Sequence, residues 1–345
     1  MSKNKINIYA IAKEANVSPA TVSRVLTNSA RVSDEKKKRV QEAIDKYDFK
    51  PDIIARRLSG TESKVIGIIV ADISNPFYSS LFIECEKAAY ENGYTVLLCD
   101  TFGNGALEES HLQNLREQRV DAIILMGGRV DELVVEKDYI EYINELVKFI
   151  PIITTGYLES TECYQVNIDE EQACKLLMEY LIELGHKDIA LIGGRATVKS
   201  TYGKRKCYKE YLIKNKISYN PDWMIEGEYY NIKSGYDCMN KLFEKNKKLP
   251  SAIIAINDFT AVGIMKSIIE HGLTIPNDIS LASFDNTYVS EITMPNLTTI
   301  GYDYKRFGES LINTAIKAIK KIKLDKITLI DSEILIRDSC KVREK

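Results

Sequence analysis

Seven short aliphatic runs recur between residues 65 and 285, and stretches with helical spacing of apolar residues separate most of them. The runs read VIGIIVADI, YTVLLCD, DAIILMGG, PIITTG, DIALIGG, SAIIAIND and DISLASFD. Aliphatic strands that alternate with helices are typical of a parallel sheet that helices cover on both faces. About 280 residues of this pattern are too many for one doubly wound sheet. The sequence therefore predicts an α/β body with two such sheets.

Carboxylates and glycines follow most of these predicted strands. In open parallel sheets, ligands bind beyond the carboxyl ends of the strands, so the residues at those ends predict one binding crevice. Asp258 and Asp285 are the strongest candidates, because a carboxylate can accept two hydroxyls of a polyol or the N–H groups of a base. Each could instead be the N-cap of the next helix, which is the commoner role of a single Asp after a strand. The full set is Asp72, Asp100, Gly127-Gly128, Gly156-Tyr157, Gly193-Gly194, Asp258 and Asp285.

Two further features bear on the predicted crevice. Phe77, Tyr78 and Tyr229 are aromatic residues that could stack on the face of a sugar or a base. The stretch GGRATVKSTYGKRK, residues 193–206, is rich in basic residues. It is interpreted either as the solvated start of a helix or as a site for an anionic effector such as a phosphosugar, and the sequence leaves both open.

Residues 6–47 carry a different pattern, which predicts three short helices. The middle one lies in VSPATVSRVLTN, residues 17–28, where Ser18 is a good N-cap and Pro19 suits the first helical position. Val22, Val25 and Leu26 are spaced to pack on the preceding helix, IYAIAKEA. The residues left facing outward are Ala20, Thr21, Arg24 and Asn28.

Charge separates the two parts of the chain. Residues 1–60 hold 13 Lys and Arg against 7 Asp and Glu, whereas the remainder holds 34 against 42. A basic head on an acidic body indicates a polyanion partner for the head alone. A DNA-reading helix presents its N-terminal residues to base edges, so the outward face of residues 17–28 is predicted to bind DNA. The alternative is the solvated face of an ordinary three-helix bundle, and the basic balance favours DNA.

Motifs of the common enzyme classes are absent from the sequence. No G-x-x-x-x-G-K-[ST] or G-x-G-x-x-G follows a predicted strand, no G-x-S-x-G occurs, and the three histidines form no H-E-x-x-H. The seven cysteines are scattered without a C-x-x-C pair and are expected to be reduced core thiols. We therefore expect no catalytic residue, no metal and no cofactor.

The sequence predicts no membrane contact. It opens without a charged-then-apolar leader, and no apolar run approaches the ~18 residues of a membrane span, so we expect a cytoplasmic protein. Two alternatives are an exported-type sugar-binding protein that shares the body fold, and an α/β enzyme without DNA binding. Neither accounts for the basic head.

The stretch IYAIAKEANVSPATVSRVLTNSARVSDEKKKRVQEAIDKYDFKPDIIARRLSG, residues 8–60, resembles the headpiece of the lactose/galactose repressor (LacI/GalR) family of bacterial transcription regulators. The resemblance continues through VADISNPFYSSL, RVDAIIL, IELGHKDIALIGG, IPNDISLASFDN, PNLTTI and IRDSC, so it covers nearly the whole chain. It implies a homodimeric repressor that binds double-stranded operator DNA. It also implies control by a small-molecule effector, for which a sugar or phosphosugar is favoured over a purine.

The resemblance implies DNA-contacting roles for individual residues. Pro19, Ala20 and Arg24 match positions that read bases in the major groove, and Arg24 is suited to take a guanine bidentately. The segment PDIIARRLSG matches the hinge helix, with Leu58 at the position that wedges into the minor groove and Asp52 where the family usually carries Asn. Positions near the phosphates are matched by Ser18, Thr21 and Ser23, and a further contact in the following loop by Arg31.

The resemblance also implies effector contacts. Lys204 stands where the family usually carries Arg, and a lysine cannot provide the bidentate geometry of an arginine. Phe77, Asp258 and Asp285 match further effector-contacting positions. The predicted effector-binding residues are Asp72, Phe77, Lys204, Tyr229, Asp258 and Asp285.

Together these patterns predict three parts. Residues 1–50 are a three-helix helix-turn-helix headpiece, 51–62 a hinge helix, and 63–345 a two-lobed, periplasmic-binding-protein-like body. The first lobe is expected at about 63–160 plus 293–325, and the second at about 161–292 plus 326–345.

Overall fold

The computed structural model describes residues 7–27, 31–47, 49, 63–245 and 248–343. The chain divides into two compact units, Met1–Val65 and Ile66–Lys345. The predicted hinge helix at 51–62 lies outside the described residues, so the boundaries at residues 50 and 62 stay predictions.

The first unit contains the three predicted helices, α1 (Ile8–Glu14), α2 (Pro19–Thr27) and α3 (Asp34–Tyr47). Asn16 turns the chain between α1 and α2 at a φ of 52°, a left-handed conformation that Asn tolerates better than most residues. Val22 of α2 is fully buried in the small apolar core between the helices. The Glu14 carboxylate accepts hydrogen bonds from Lys46 at 2.7 Å and from the Tyr47 hydroxyl at 2.9 Å. These bonds tie the end of α1 to the end of α3.

The second unit, the body, alternates strands and helices. Its strands are β1 (Val65–Val70), β2 (Thr95–Asp100), β3 (Ala122–Met126), β4 (Ile152–Thr154), β5 (Tyr164–Ile168), β6 (Ile189–Ile192), β7 (Met224–Ile225), β8 (Ala252–Ala255), β9 (Ser280–Asp285), β10 (Thr298–Tyr302), β11 (Ile327–Ile330) and β12 (Ser332–Leu335). Its helices are α4 (Pro76–Glu91), α5 (Gly105–Glu117), α6 (Lys137–Val147), α7 (Glu170–Glu183), α8 (Lys199–Lys214), α9 (Ile232–Lys245), α10 (Asp258–Glu270), α11 (Val289–Ile292) and α12 (Tyr304–Ile319). Short 3-10 turns occur at Gly128–Asp131 and Pro221–Trp223.

Two six-stranded sheets organise the body, one in each lobe, and confirm the predicted fold class. The first sheet has the order β11-β5-β4-β3-β1-β2, and its β1–β3, β3–β4, β4–β5 and β5–β11 pairs are parallel. The second has the order β12-β10-β9-β8-β6-β7, with β9 parallel to both β8 and β10. Strand β12 pairs antiparallel with β10. It follows β11 after the single residue Asp331, so the chain passes from the first sheet to the second at this residue.

Close helix packing supports the second lobe beside the cavity described below. Helices α9 and α10 approach each other where each carries a glycine. A Cβ atom on Gly235 would lie 2.1 Å from the Thr260 carbonyl oxygen, and one on Gly263 would lie 1.9 Å from the Ile232 carbonyl oxygen. A larger residue at either position would force the two helices apart.

The structure corrects the predicted lobe boundaries. Strand β5 pairs with β4 in the first sheet, although residues 161–168 were assigned to the second lobe. Strand β10 pairs with β9 in the second sheet, although residues 293–302 were assigned to the first. Strand β11 returns to the first sheet beside β5. The chain therefore crosses between lobes at Asp169, Asp303 and Asp331, because an aliphatic strand pattern does not show which of two sheets the strand joins.

Candidate functional site

Helix α2 carries the candidate DNA-binding face. Ser18 begins the helix as predicted: its Oγ accepts a hydrogen bond from the Thr21 backbone N–H at 3.2 Å. The Ser18 and Thr21 hydroxyls are also 3.0 Å apart. Ala20 and Arg24 are exposed, whereas Val22 on the opposite side is buried. The helix therefore presents a small residue, hydroxyl groups and one cation away from the core.

The structure brings most of the predicted DNA-contacting residues onto this one helix start. Pro19, Thr21 and Ser23 are partly exposed beside Ala20 and Arg24. Arg31 is exposed in the segment that precedes α3. Asp52 and Leu58 lie outside the described residues, so the hinge and its minor-groove contact stay predictions.

A cavity of about 650 Å³ lies between the two lobes of the body. It opens at the carboxyl ends of strands from both sheets, as predicted: Asp72 follows β1, Gly127 follows β3, Asp285 ends β9 and Tyr302 ends β10. A concave site of this size is typical of a small-molecule site.

Five of the six predicted effector residues line this cavity: Asp72, Phe77, Lys204, Tyr229 and Asp285. Phe77 packs among Tyr78, Tyr302 and Tyr304, with ring centroids 5.2–6.2 Å away, so it forms part of an aromatic floor. Tyr229 is 58% exposed and belongs to the rim.

Asp285 has the geometry expected of a functional residue. Its φ of 103° is a left-handed conformation that is costly for a residue with a side chain, and such strain is concentrated at functional sites. No described residue donates a hydrogen bond to its carboxylate. Burial raises the pKa of Asp285 well above its usual value, with Asp258 adding to the rise and Lys204 opposing it. The carboxylate is therefore available to a ligand.

Asp258 does not line the cavity, which corrects its predicted effector role. It is fully buried, and its two oxygens accept hydrogen bonds from the Ser283 hydroxyl at 2.5 Å, the Thr299 hydroxyl at 2.9 Å and the Thr287 backbone N–H at 2.7 Å. The helix N-cap is the preceding residue, Asn257, whose Oδ1 accepts from the Thr260 backbone N–H. Asp258 therefore joins α10 to β9 and β10 instead of contacting the ligand.

A substitution at Asp258 is expected to reduce stability and to spare ligand binding. Asp258→Ala leaves the Thr287 N–H and two hydroxyls without their acceptor, and relief of the buried charge offsets part of that cost. We expect the free energy of unfolding to fall by about 1–2 kcal/mol. Urea unfolding measures the loss, and calorimetry with a cavity ligand should give an affinity within about twofold of wild type. If Asp258→Ala lowers the ligand affinity more than Asp285→Asn does, then Asp258 is part of the ligand site.

Lys204 is buried and already paired. Its ammonium forms an ion pair with Glu170, and it lies 4.9 Å from the centre of the Phe284 ring. Burial lowers the pKa of Lys204, but Glu170, Asp285 and Asp131 together outweigh burial and raise it above its usual value. Lys204 therefore lines the cavity as a cation that pairs with the protein's own acids, and its contact with an effector stays a prediction.

Two loops join the lobes on one side of the cavity. The Ser200 hydroxyl donates to Asp131 at 2.7 Å, Arg195 pairs with Glu132 at 3.0 Å, and the Leu133 N–H donates to the Thr197 carbonyl at 2.6 Å. We call residues 131–133 and 195–200 the cleft bridge. Because it joins the lobes directly, any change in lobe spacing must stretch or remake these contacts.

Asp131 gives the body a pH-dependent stability. Burial raises its pKa to about 6 against the opposing hydrogen bond from Ser200. The unfolded carboxyl titrates near 3.8, so between these values the folded protein holds a proton that the unfolded chain has lost. This contribution therefore weakens as the pH rises from about 4 through about 6, by roughly 1–2 kcal/mol for a group in contact with cavity water.

The prediction is tested with Asp131→Asn, which removes the titration and keeps an acceptor for Ser200. In urea unfolding, the stability of the variant relative to wild type should rise as the pH rises from about 4 through about 6. Asp325→Asn, an exposed change in the same lobe, is the matched control. A stability difference between Asp131→Asn and wild type that stays constant with pH would contradict the raised pKa.

Several cavity residues were not found by sequence reasoning. Asn257 lines the cavity, whereas the next residue, Asp258, which the sequence predicts as an effector contact, lies in the core. A shift of one residue at a strand end therefore separates a cavity residue from a core residue. Asp131 lies in a 3-10 turn, Tyr230 in a loop, and Asn167 and Glu170 near the end of β5, which was assigned to the wrong lobe. Asn257 had a sequence signal, since it stands at the end of the aliphatic run SAIIAIND. No pattern in the sequence indicated that Asp131, Tyr230, Asn167 or Glu170 would line the cavity.

Among the described helices, none is both long enough and apolar enough to cross a membrane.

Comparisons with known proteins cover both units. Residues 7–52 match the bacterial regulatory proteins, lacI family, and residues 178–340 match the periplasmic binding protein-like domain. The HTH-type transcriptional repressor PurR of Histophilus somni (strain 129Pt) is 32% identical over 340 residues, which cover 97% of this chain and 98% of that protein. Catabolite control protein A of Priestia megaterium is 33% identical over 340 residues, 97% of this chain and 99% of that protein. The crystal structure of the lac repressor dimer bound to operator and the anti-inducer ONPF has a TM-score of 0.84 at 24% identity, covering 98% of this chain and 100% of that one.

Proposed function

Because the chain belongs to the LacI family of bacterial regulatory proteins, and so is a DNA-binding transcription repressor and not an enzyme, we propose that a small sugar or related polyol in the cavity controls its binding to operator DNA. The proposal has two parts: helix α2 reads the bases of the operator, and the cavity binds a ligand of the polyol class. The hinge and the dimer connect them.

One observation carries the DNA-reading part: α2 exposes Arg24 and Ala20 on the side opposite its buried Val22. Arg24 is the only cation on α2 and stands free of the core, which suits it to reach the O6 and N7 of a guanine. Ala20 is small enough to let the helix approach a thymine methyl. Ser18, Thr21 and Ser23 add hydroxyls at the helix start, where phosphate contacts are common.

The cavity supports a polyol as the ligand. Its wall offers acceptors that sugar hydroxyls would satisfy, among them the Asp285 carboxylate, and an aromatic floor at Phe77 and Tyr78. The Tyr230 hydroxyl, 2.8 Å from the Thr201 hydroxyl, places two more polar groups in the wall. A sugar that presents hydroxyls on its edge and C–H groups on its face complements both kinds of surface.

Ligand screening by thermal shift tests this class. A panel of pentoses, hexoses and disaccharides is set beside a panel of nucleobases and nucleosides, with the full chain. A compound at about 100 times its dissociation constant should stabilise the protein by roughly 2.7 kcal/mol. Stabilisation by a sugar supports the proposal. Stabilisation by purines alone, with no response to any sugar, would contradict it.

Exposed apolar side chains support a homodimer. In the single chain, Ile83 and Tyr90 of α4 and Leu98 of β2 are exposed on the first lobe. Ile292 and Met294 are exposed on the second lobe. Symmetric dimers bury such patches, and dimeric repressors place two headpieces on one operator. Sedimentation of wild type beside Ile83→Glu tests the assignment: wild type should be dimeric and the variant should dissociate more readily.

The hinge connects the two parts in this proposal. The segment 51–60 is too short to be a stable isolated helix, so pairing of two copies over the operator would have to stabilise it. A ligand that changes the lobe spacing across the cleft bridge would alter the distance between the two hinges. Ligand binding would thereby shift the population of the DNA-binding state.

A further inference from the structure

The cavity carries more acid than its own cations balance. Nine carboxylate side chains line it against four cationic ones. The carboxylates are Asp72, Glu108, Asp131, Glu132, Asp169, Glu170, Glu171, Glu228 and Asp285, and the cations are Arg129, Arg195, Lys199 and Lys204. A cavity with this balance attracts cations and repels anions.

The four cations are already engaged within the described part of the chain. Lys204 pairs with Glu170, and Arg195 pairs with Glu132. The Arg129 guanidinium lies 2.5 Å from Glu109, while Lys199 donates to the Tyr157 carbonyl oxygen. A phosphate group entering the cavity would therefore compete with these partners for the four cations. The basic stretch 193–206 thus acts mainly as internal counter-charge and does not favour the anionic effector considered from the sequence.

Carboxylates also outnumber cations around Lys204. Asp131, Glu170 and Asp285 all act on this one ammonium, which is committed to Glu170. The Asp131 carboxylate accepts hydrogen bonds from the hydroxyl and the backbone N–H of Ser200, whereas no described residue donates a hydrogen bond to the Asp285 carboxylate. Three carboxylates thus share one cation in a site where unpaired charge is costly.

A second polar group in the same wall also requires a donor. Asn167, three residues before Glu170, lines the cavity and is 2% exposed. Its Oδ1 has no hydrogen-bond donor among the described residues. Buried polar atoms are nearly always satisfied in native structures, so an orphaned acceptor indicates a donor from outside the protein. A metal ion does not explain the site, because no three His, Cys, Asp or Glu side chains in the described ranges are grouped to hold one.

We propose that the ligand of this cavity carries a protonated amino group, as an aminodeoxy sugar or a hydroxylated amine does, and that this ammonium lies among Asp131, Glu170 and Asp285. The ammonium supplies the missing counter-charge, and a neighbouring hydroxyl or N–H donates to Asn167 Oδ1. The proposal rests on the polyol class proposed above and narrows it to cationic members. It excludes phosphosugars.

Matched sugars test the charge directly. Calorimetry on the full chain near pH 7 compares D-glucose, D-glucosamine, N-acetyl-D-glucosamine and D-glucose 6-phosphate, then the corresponding galactose and mannose series. The N-acetyl compound keeps the nitrogen and removes its charge. In the series that binds, we expect the amino sugar to bind at least tenfold more tightly than the neutral parent and the N-acetyl compound. The 6-phosphate should give no measurable heat.

A variant pair locates the preference. Asp131→Asn should lower the ratio of amino-sugar to neutral-sugar affinity by about tenfold, whereas Asp325→Asn, exposed on the same lobe, should leave that ratio unchanged. A neutral sugar or its 6-phosphate that binds as tightly as the amino sugar would overturn the cationic ligand and leave the polyol proposal standing. An amino-sugar preference that Asp131→Asn does not change would overturn the placement of the ammonium. Failure of every sugar in all three series, together with no thermal shift from any sugar of the panel described above, would overturn both proposals.

Discussion

We expect Arg24→Ala to weaken operator binding by about 1–3 kcal/mol, or roughly 5- to 150-fold, and to relax the preference at one base position. Arg24 is exposed on α2 while Val22, Val25 and Leu26 of the same helix pack on the core, so the change removes a base contact without opening a cavity. The measurement is fluorescence anisotropy on an operator selected from random DNA by the wild-type protein. Each base position is then varied in turn.

Lys36→Ala is the matched control, because it removes one exposed positive charge from α3 of the same unit. It should weaken binding to all sequences by a similar small factor and reduce the salt dependence slightly, as loss of a phosphate contact does. Arg24→Ala should instead lose affinity mainly for the selected operator. If both variants lose the same affinity on operator and on random DNA, then Arg24 does not read a base.

Asp285→Asn should weaken binding of the cavity ligand by about 1.5–3 kcal/mol, roughly 10- to 150-fold, and leave operator binding by the ligand-free protein intact. Asparagine keeps the size of the side chain and removes the charge that strengthens hydrogen bonds from ligand donors. The strained φ of 103°, and a carboxylate to which no described residue donates a hydrogen bond, are the reasons for choosing this residue. Calorimetry uses the sugar that gives the largest thermal shift with wild type.

Asp258→Asn provides the comparison, because its carboxylate is buried beneath the cavity wall and bonded to β9 and β10. It should leave ligand affinity within about twofold of wild type. Equal ligand affinities for wild type and Asp285→Asn would remove Asp285 from the site.

Periodicity and local chemistry predicted the elements of the fold well. The seven aliphatic runs predicted seven of the twelve described strands, and the Ser18-Pro19 pair marked the start of α2. The sequence did not predict which lobe each strand joins, because β5, β10 and β11 are aliphatic strands whose partners lie far away in the chain. The choice of sheet depends on where the chain crosses between lobes, and local sequence does not record it.

The site was predictable where a residue follows a strand and not where a loop positions it. Asp285 was found because it ends a strand, and Asp258 was chosen by the same rule although its side chain turns into the core. Which of two adjacent residues faces a cavity depends on the backbone at the strand end. Asp131 reaches the cavity through a 3-10 turn, and Glu170 acts through its pairing with Lys204, so only the tertiary structure reveals either.

The most direct test of the account is whether a ligand held by Asp285 changes operator affinity. Operator dissociation constants are measured for wild type and Asp285→Asn, each with and without the stabilising sugar at a concentration that saturates wild type. We expect the sugar to change the wild-type dissociation constant by at least tenfold, in either direction, and to leave that of Asp285→Asn nearly unchanged. A wild-type operator affinity that stays the same when the cavity is saturated would contradict control of DNA binding through this site.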